Sequence, residues 1–284
     1  MAVLPNLRFN LPYHISILIY GSSDSGKTVL ASCSPNLDPI ELEIVENAIM
    51  LDVEDGMTSL YTRNAGIAVP RWPEDPEKII DNKEELARGI DYIQKNHAKL
   101  GIEYASLDSL DRYQEYAIDN IIKEKKHVRP EMQDWGDILV SLQRLGRSVP
   151  SWGVNAVFTC HSAEFIDEND RMKKKMPLLQ GSIRDKIISY FDVVAYLEKV
   201  TPRGANAVPY RVLHTVGNND FLARSRLGSC MPTEIKNPTI PGIVNAYRAA
   251  RAKLIARLKE TLGERAIIVG ERPQDLLVKE EDLK

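Results

Sequence analysis

The chain has 284 residues, of which 43% are hydrophobic and 27% are charged, and its formal net charge at pH 7 is −3. This composition is typical of a globular protein with a sizeable core and argues against a disordered, collagen-like or membrane-embedded chain. The charge balance also excludes a uniformly basic surface of the kind that coats nucleic acid, but it allows a local basic patch.

The predicted elements follow a strand–helix alternation. In chain order they are a strand at 15–20, a helix through 29–31, a strand at 48–53, a loop at 69–76, a helix at 83–100, a strand at 102–107, helices at 110–123 and 135–147, a strand at 154–160, a polar loop to 181, strands at 191–197, 210–215 and 221–224, and a helix at 243–262. Residues 217–219 should join the last two strands as a hairpin. The pattern predicts an α/β fold with a mainly parallel sheet flanked by helices, followed by a C-terminal hairpin and helix. We expect a core over 1–235 and a C-terminal helix and tail over 236–284, with the tail beyond 270 loosely ordered.

Cysteine usage and the N-terminal segment both point to a cytoplasmic protein. The three cysteines at positions 33, 160 and 230 lie far apart and form no CxxC pair, so we expect no disulfide framework. The N-terminal segment lacks the pattern of a secretory signal, and its longest apolar stretch, 15–20, is too short to span a bilayer. We therefore expect no contact with a membrane.

A phosphate-binding loop follows the first predicted strand. Residues 21–28 fit the pattern G-x-x-x-x-G-K-[ST], with a strand before and a helix after, as the motif requires. The backbone N–H groups of such a loop surround phosphate oxygens, and the N-terminus of the following helix attracts the same negative charge. Lys27 would reach the β- and γ-phosphates, and the Thr28 hydroxyl would bind Mg²⁺. The predicted nucleotide-binding residues are Gly21, Ser22, Ser23, Asp24, Ser25, Gly26, Lys27 and Thr28.

Nucleotide hydrolysis also needs one carboxylate near the Mg²⁺ ion and another that orients the attacking water. Open α/β sheets carry such residues at the carboxyl ends of their strands. Asp108 ends the strand at 102–107 and is the candidate Mg²⁺-shell aspartate. Glu54 ends the strand at 48–53; it is either the residue that orients the water or a solvated loop acid. Asp52, in the same strand, could assist or could shape the loop.

His161 ends the strand at 154–160. A polar group at this position could contact the γ-phosphate and sense its loss. The alternative is a histidine that only completes the hydrogen bonds of the strand end. Residue types alone leave both interpretations open.

In this order the motifs resemble the RecA-core ATPases, in which a phosphate loop, a strand-end D-x-E, a strand ending in Asp-Ser and a strand-end polar sensor follow one another. More specifically, residues 51–56, 107–110 and 157–161 are similar to phage-encoded RecA-core nucleotide-binding proteins related to single-strand-annealing ATPases. The resemblance covers roughly residues 12–230. It implies a RecA-like P-loop fold and Mg²⁺-dependent ATP hydrolysis by an oligomer acting on single-stranded DNA in recombination, annealing or replication. It also implies Glu54 as general base and His161 as sensor, and allows a single-strand-binding protein as a partner.

The same resemblance assigns further basic residues. Arg224 and Arg226 are similar to the K-x-R-x-G pattern through which relatives reach the nucleotide of a neighbouring subunit, with Arg224 in place of the lysine; the alternative is a pair of surface arginines. DNA contacts are expected in two loops, at about 123–136 and 162–182. The basic residues that we assign to them are Lys125, Lys126, Arg129, Lys173, Lys174 and Lys175.

Two other functions stay open at this point. One is a nucleotide-gated assembly or loader protein, in which ATP sets the oligomeric state without strand chemistry. The other is a nucleoside monophosphate kinase, because Asp111-Arg112-Tyr113 is similar to an element of thymidylate kinases. In those kinases the element ends a strand, whereas here we expect it to enter a helix.

Overall fold

A mainly parallel β-sheet with helices on both faces forms the centre of the protein. The computed structural model describes residues 7–36, 42–56, 60, 67–75, 77–166, 173–203 and 208–269. The strands are β1 (Leu7–Asn10), β2 (Ser16–Gly21), β3 (Glu43–Ile44), β4 (Ala48–Asp52), β5 (Ile67–Ala68), β6 (Arg71–Trp72), β7 (Tyr104–Asp108), β8 (Asn155–Ile166), β9 (Lys173–Pro177), β10 (Val193–Val200), β11 (Tyr210–His214), β12 (Arg224–Ser225), β13 (Glu234–Lys236) and β14 (Ala266–Val269). The helices are α1 (Lys27–Ala31), α2 (Lys83–Leu100), α3 (Leu110–Lys125), α4 (Met132–Ser148), α5 (Ile183–Ile187) and α6 (Ile240–Leu262). In these parts of the chain, no helix is both long and apolar enough to cross a membrane.

The strand order places the phosphate loop in the middle of the sheet. The order is β13-β11-β10-β2-β8-β7-β4-β6, and the pairs from β10 to β6 are parallel. The strand β2, which leads into the loop, therefore lies between β8 and β10. Because these parallel strands run in the same direction, the ends of β2, β4 and β7 meet at one edge beside His161 of β8, and open α/β sheets bind their ligands at this edge.

Two apolar cores cover the two faces of the sheet. Side chains alternate along β2, so that Leu18 and Tyr20 join one core while Ile17 and Ile19 join the other. The first core contains apolar residues of α2, α3, α4 and α5. The second contains residues of α1 and α6. This double coverage explains why the central strands read as continuous apolar runs.

Several predicted elements are confirmed with close bounds. The helix predicted at 83–100 is α2, and the structure supplies the reason for both ends. The Asn82 side chain accepts a hydrogen bond from the Glu85 N–H (2.8 Å) at the N-terminus, and Gly101 ends the helix with φ 70°. The helix at 110–123 is α3, which begins at Leu110 and contains Asp111-Arg112-Tyr113 as expected.

Two predicted loops are wrong in part. The polar loop after residue 160 is instead a β-hairpin, because β8 continues to Ile166 and pairs antiparallel with β9. Residues 167–172 lie outside the described residues. The loop predicted at 69–76 contains β6, which pairs with β4. Both segments carry charged residues and prolines that hide a short strand from periodicity analysis.

The C-terminal region contains the predicted turn and helix. The Gly217 N–H donates to the Ala223 carbonyl (2.9 Å), which closes the turn. The second strand of that hairpin differs from the prediction, because β12 lies at Arg224–Ser225 and pairs with β10, while β11 pairs with β10 and β13. The helix α6 begins three residues before its predicted start and packs into the second core. The division at residue 235 stays a prediction, and the tail beyond 269 lies outside the described residues.

Candidate nucleotide-binding site

The predicted phosphate loop connects β2 to α1, with Gly21 ending the strand and Lys27 beginning the helix. Lys27 is buried, and its ammonium group donates to the carbonyls of Gly21 (3.1 Å) and Ser22 (2.9 Å). Burial lowers the pKa of Lys27, and nearby carboxylates, that of Asp108 foremost, partly offset the effect. The Lys27 ammonium group therefore lies inside the loop and donates to two backbone carbonyls. A bound phosphate can replace these carbonyls as its hydrogen-bond acceptor.

Arg211 of β11 contacts the outside of the loop. Its Nε donates to the Ser25 carbonyl at 3.1 Å. Gly26 lies beneath this guanidinium with φ 94°, and a Cβ on Gly26 would be 2.3 Å from Arg211 Nε. The backbone conformation at position 26 therefore favours glycine, while an added Cβ would also displace the Arg211 side chain. Arg211 was not predicted, since a single arginine in a late strand carries no motif.

The two predicted Mg²⁺ ligands, Thr28 and Asp108, approach each other beside Gly56. Thr159 donates a hydrogen bond to Asp108 Oδ1, whereas Oδ2 is buried and has no hydrogen-bond partner among the described residues. A Cβ on Gly56 would lie 2.9 Å from Asp108 Oδ2 and 3.1 Å from Thr28 Cγ2. The buried Asp108 carboxylate, the Thr28 hydroxyl that faces it and the space left beside them by the missing side chain of Gly56 fit a Mg²⁺ ion, which prefers oxygen ligands.

Gly56→Ala tests this space. The φ angle of Gly56 is outside the left-handed region, so the added methyl group should act through contact with Asp108 and Thr28 rather than through backbone strain. We expect Mg²⁺-dependent nucleotide binding to weaken by about tenfold, equivalent to about 1.4 kcal/mol, while the circular dichroism spectrum stays unchanged. Nucleotide titrations at several Mg²⁺ concentrations measure the effect.

The matched control is Gly136→Ala. Gly136 lies inside α4, is exposed, and its added Cβ would meet nothing within 4 Å. The control should bind Mg²⁺-nucleotide normally and be stabilised by up to about 1 kcal/mol through helix propensity. If nucleotide binding depends on Mg²⁺ equally in the two variants, the assignment of a Mg²⁺ site beside Gly56 is contradicted.

Glu54 lies at the same edge and is half-buried. The Ser109 hydroxyl donates a hydrogen bond to Glu54 Oε1, and His161 Nδ1 lies 3.9 Å from the same oxygen. The side chain is therefore held at the site rather than being a freely solvated loop acid. Asp52 instead shapes the loop: it forms an ion pair with Arg71 (3.3 Å) and accepts a hydrogen bond from the Gly56 N–H (3.3 Å).

The prediction that His161 ends its strand is wrong, because β8 continues past it to Ile166; His161 lies within β8, in register with Gly21 at the start of the phosphate loop. Asp111, in the first turn of α3, accepts hydrogen bonds from both the His161 N–H (3.1 Å) and Nδ1 (2.8 Å). Ligand atoms of Glu54, Asp111 and His161 lie within 4.8 Å of one another. The sequence marks Asp111 only through the kinase alternative, although its position in the first turn of the helix after Asp108 is a signal for the site.

Arg224 and Arg226, the two arginines predicted to reach the nucleotide of a neighbouring subunit, contact their own chain. Arg224 donates to the Ile188 carbonyl (2.6 Å). Arg226 donates to the Ser189 carbonyl (2.7 Å) and forms an ion pair with Asp192 (3.2 Å), although its side chain remains 44% exposed. Contact with the nucleotide of a neighbouring subunit stays a prediction. It would require both guanidinium groups to leave their present partners and bind the phosphates instead.

The first basic segment begins at the C-terminal end of α3. Lys125 forms ion pairs with Asp134 (2.8 Å) and Asp137 (2.7 Å), so its charge is balanced within the chain. Lys126 ends the helix with φ 56°, and it and Arg129 are exposed. Only part of the positive charge in this segment is directed to solvent.

The second basic segment is β9 of the β8–β9 hairpin. Lys173 lies 3.5 Å from Glu164, and the Lys175 ammonium lies 5.3 Å from the centre of the Tyr196 ring. Lys174 is paired in register with Phe165. The Arg184 guanidinium lies 4.2 Å from the centre of the Phe165 ring. We call Lys174, Phe165 and Arg184 the hairpin cluster; it combines two cations with one aromatic side chain.

One family pattern and one solved structure are similar to this chain. The sequence pattern of an AAA domain family matches residues 14–227, a span that contains the phosphate loop, Glu54, Asp108 and His161. A solved KaiC-like protein from the hyperthermophilic archaeon Pyrococcus horikoshii is similar at 14% identity and a TM-score of 0.34, over 70% of this chain and 77% of the other. None of the curated proteins matches. The mainly parallel sheet with helices on both faces is the predicted α/β fold, and since the family pattern matches more than half of the chain, the chain belongs to the AAA domain family of P-loop NTPases.

Proposed function

We propose that the protein is a Mg²⁺-dependent ATPase of the RecA-like type. The observation that carries the proposal is the convergence of Lys27, Glu54 and the Thr28–Asp108 pair at one edge of the sheet. A binding module needs the loop and the cation site only. The additional carboxylate of Glu54, held by a hydroxyl beside the loop, supports hydrolysis.

Each residue has a defined task in this proposal. The loop N–H groups and Lys27 bind the phosphates, and Lys27 leaves the carbonyls of Gly21 and Ser22 to do so. Thr28 and Asp108 would hold the Mg²⁺ ion, which neutralises charge on the phosphates when bound. Glu54 orients the attacking water and accepts its proton, and Ser109 fixes the carboxylate for that task.

We further propose that the protein is phage-encoded and that it acts as an oligomer on single-stranded DNA. The phage setting and the recombination, annealing or replication role rest on resemblance. The support from contacts is the hairpin cluster, because an aromatic ring with one cation against it and a lysine at the paired position of the next strand is suited to stack a base and bind a phosphate. We also propose that it works in the cytoplasm, where its three free cysteines stay reduced.

The decisive experiment measures the ATPase rate of size-resolved oligomers with and without single-stranded DNA. We expect DNA to stimulate the rate and expect Lys174→Ala to weaken DNA binding by about fivefold, or about 1 kcal/mol. The slope of log Kd against the logarithm of the salt concentration should decrease by about 0.7, because one phosphate contact is lost. Lys95→Ala is the control: Lys95 is exposed on α2, far along the chain from the hairpin, and is paired with Asp91. If the two variants bind DNA with equal affinity, the hairpin cluster is not part of the DNA interface.

The second candidate is a nucleotide-gated assembly or loader protein. The ion pairs of Lys125 favour it, because they reduce the positive charge available to a DNA strand. In that case ATP would change the oligomer size while DNA left the hydrolysis rate unchanged. Stimulation by nucleoside monophosphates would instead support the kinase alternative, in which Arg112 would have to leave its ion pair with Glu115.

A further inference from the structure

We propose that Asp111 is a positioning residue for nucleotide hydrolysis, acting through His161. The inference rests on the proposed ATPase function and deepens it. Asp111 lies on α3 and His161 on β8, so their contact joins the helix after the Mg²⁺-site strand to the strand beside the phosphate loop. The contact fixes an imidazole ring next to Gly21 and Glu54.

The geometry of the contact is bidentate. One carboxylate oxygen of Asp111 accepts from the His161 backbone N–H at 3.1 Å, and the other accepts from the ring Nδ1 at 2.8 Å. The carboxylate thus sets the position of the backbone and the rotation of the ring together. With Nδ1 bound to Asp111, Nε2 is the ring atom through which His161 can bind a phosphate oxygen.

The charges around the ring favour its protonated form. The hydrogen bond to Asp111 raises the pKa of His161 above its ordinary value, while burial and the positive charge of Lys27 lower it and the negative charges of Asp111 and Glu54 raise it further. Burial alone would raise the pKa of Asp111, but its bonds with His161 bring that pKa below the ordinary value. Asp111 therefore stays ionised while His161 keeps its proton to higher pH.

A positively charged imidazole at this position would face charge that develops on the γ-phosphoryl group. It would lose that role as the pH rises through the pKa of His161. Asparagine at position 111 would accept from the backbone N–H with its oxygen and present its NH₂ group to Nδ1, which favours the neutral ring with the proton on Nε2. The same change of tautomer explains the damage caused by an Asp-to-Asn change in serine protease triads.

The test is Asp111→Asn, compared with Asp119→Asn, which removes an exposed charge two turns further along α3. We expect Asp111→Asn to bind ATP normally, to lower kcat by about a hundredfold, and to move the alkaline limb of the kcat–pH profile to lower pH. NMR titration of the His161 ring should show the same direction of change, independently of any activity. Asp119→Asn should match the wild type, and Asp111→Glu, which keeps the carboxylate, should recover much of the pH profile.

A double-mutant cycle with His161→Gln separates positioning from general damage. If Asp111 acts through His161, then Asp111→Asn should lower kcat no further in the His161→Gln protein. Additive losses, or an unchanged His161 titration in Asp111→Asn, would overturn the proposal. Absence of Mg²⁺-ATP hydrolysis in the wild type would instead contradict the proposed function, while the NMR titration would still decide whether Asp111 controls the ring.

Discussion

Lys27→Ala should reduce ATP affinity by at least about a hundredfold and abolish hydrolysis. Lys27 is the buried cation of the phosphate loop, and its ammonium group donates hydrogen bonds to the carbonyls of Gly21 and Ser22. Charge-assisted hydrogen bonds contribute roughly 1.5–3 kcal/mol each, so losing one to each of two phosphates accounts for an effect of this size. Isothermal titration with ATP and Mg²⁺ measures it.

The control for this variant is again Lys95→Ala, whose lysine makes only an exposed ion pair on α2. Lys95→Ala should bind ATP like the wild type. Thermal unfolding of Lys27→Ala should show a folded protein, because alanine removes a charge that burial disfavours. A folded Lys27→Ala protein with wild-type ATP affinity would refute nucleotide binding by this loop.

Glu54→Gln should bind ATP with wild-type affinity and lose turnover by about 10²–10⁴-fold, the range typical of general acid–base catalysis. The amide keeps the size of the side chain and its ability to accept a hydrogen bond from Ser109, but it cannot take a proton from water. Steady-state hydrolysis and nucleotide binding, measured on the same preparation, separate the two effects.

Asp55→Asn provides a matched comparison for Glu54→Gln. Asp55 is the next residue, is exposed, and has a φ of 58°, a conformation that asparagine tolerates well. It therefore carries the same change of charge without the contacts of Glu54, and we expect normal turnover. Wild-type turnover in Glu54→Gln would transfer the role of base to another residue of the site.

Strong local signals explain which parts of the fold could be predicted. The segment before Gly21 is an uninterrupted apolar strand, and α2 has an asparagine cap and a terminal glycine within its own sequence. The β8–β9 hairpin was missed for the opposite reason. Its residues, including Lys173, Lys174 and Lys175, are charged on both faces, so they show no alternation, and pairing with β8 alone makes them a strand.

For the site, the sequence predicts the phosphate loop and the candidate residues Glu54, Asp108 and His161, because the spacing of the loop and the strands before these residues are visible locally. The partners of these residues are visible only in the folded chain. Asp111 binds His161 across 50 positions of sequence, Arg211 binds the carbonyl of Ser25 across 186, and Gly56 approaches both Asp108 and Thr28. Contacts of this kind depend on which strands become neighbours in the sheet. The overall charge of −3 carried no such information, since it is the placement of each charge, and the group that balances it, that determines what the surface can bind.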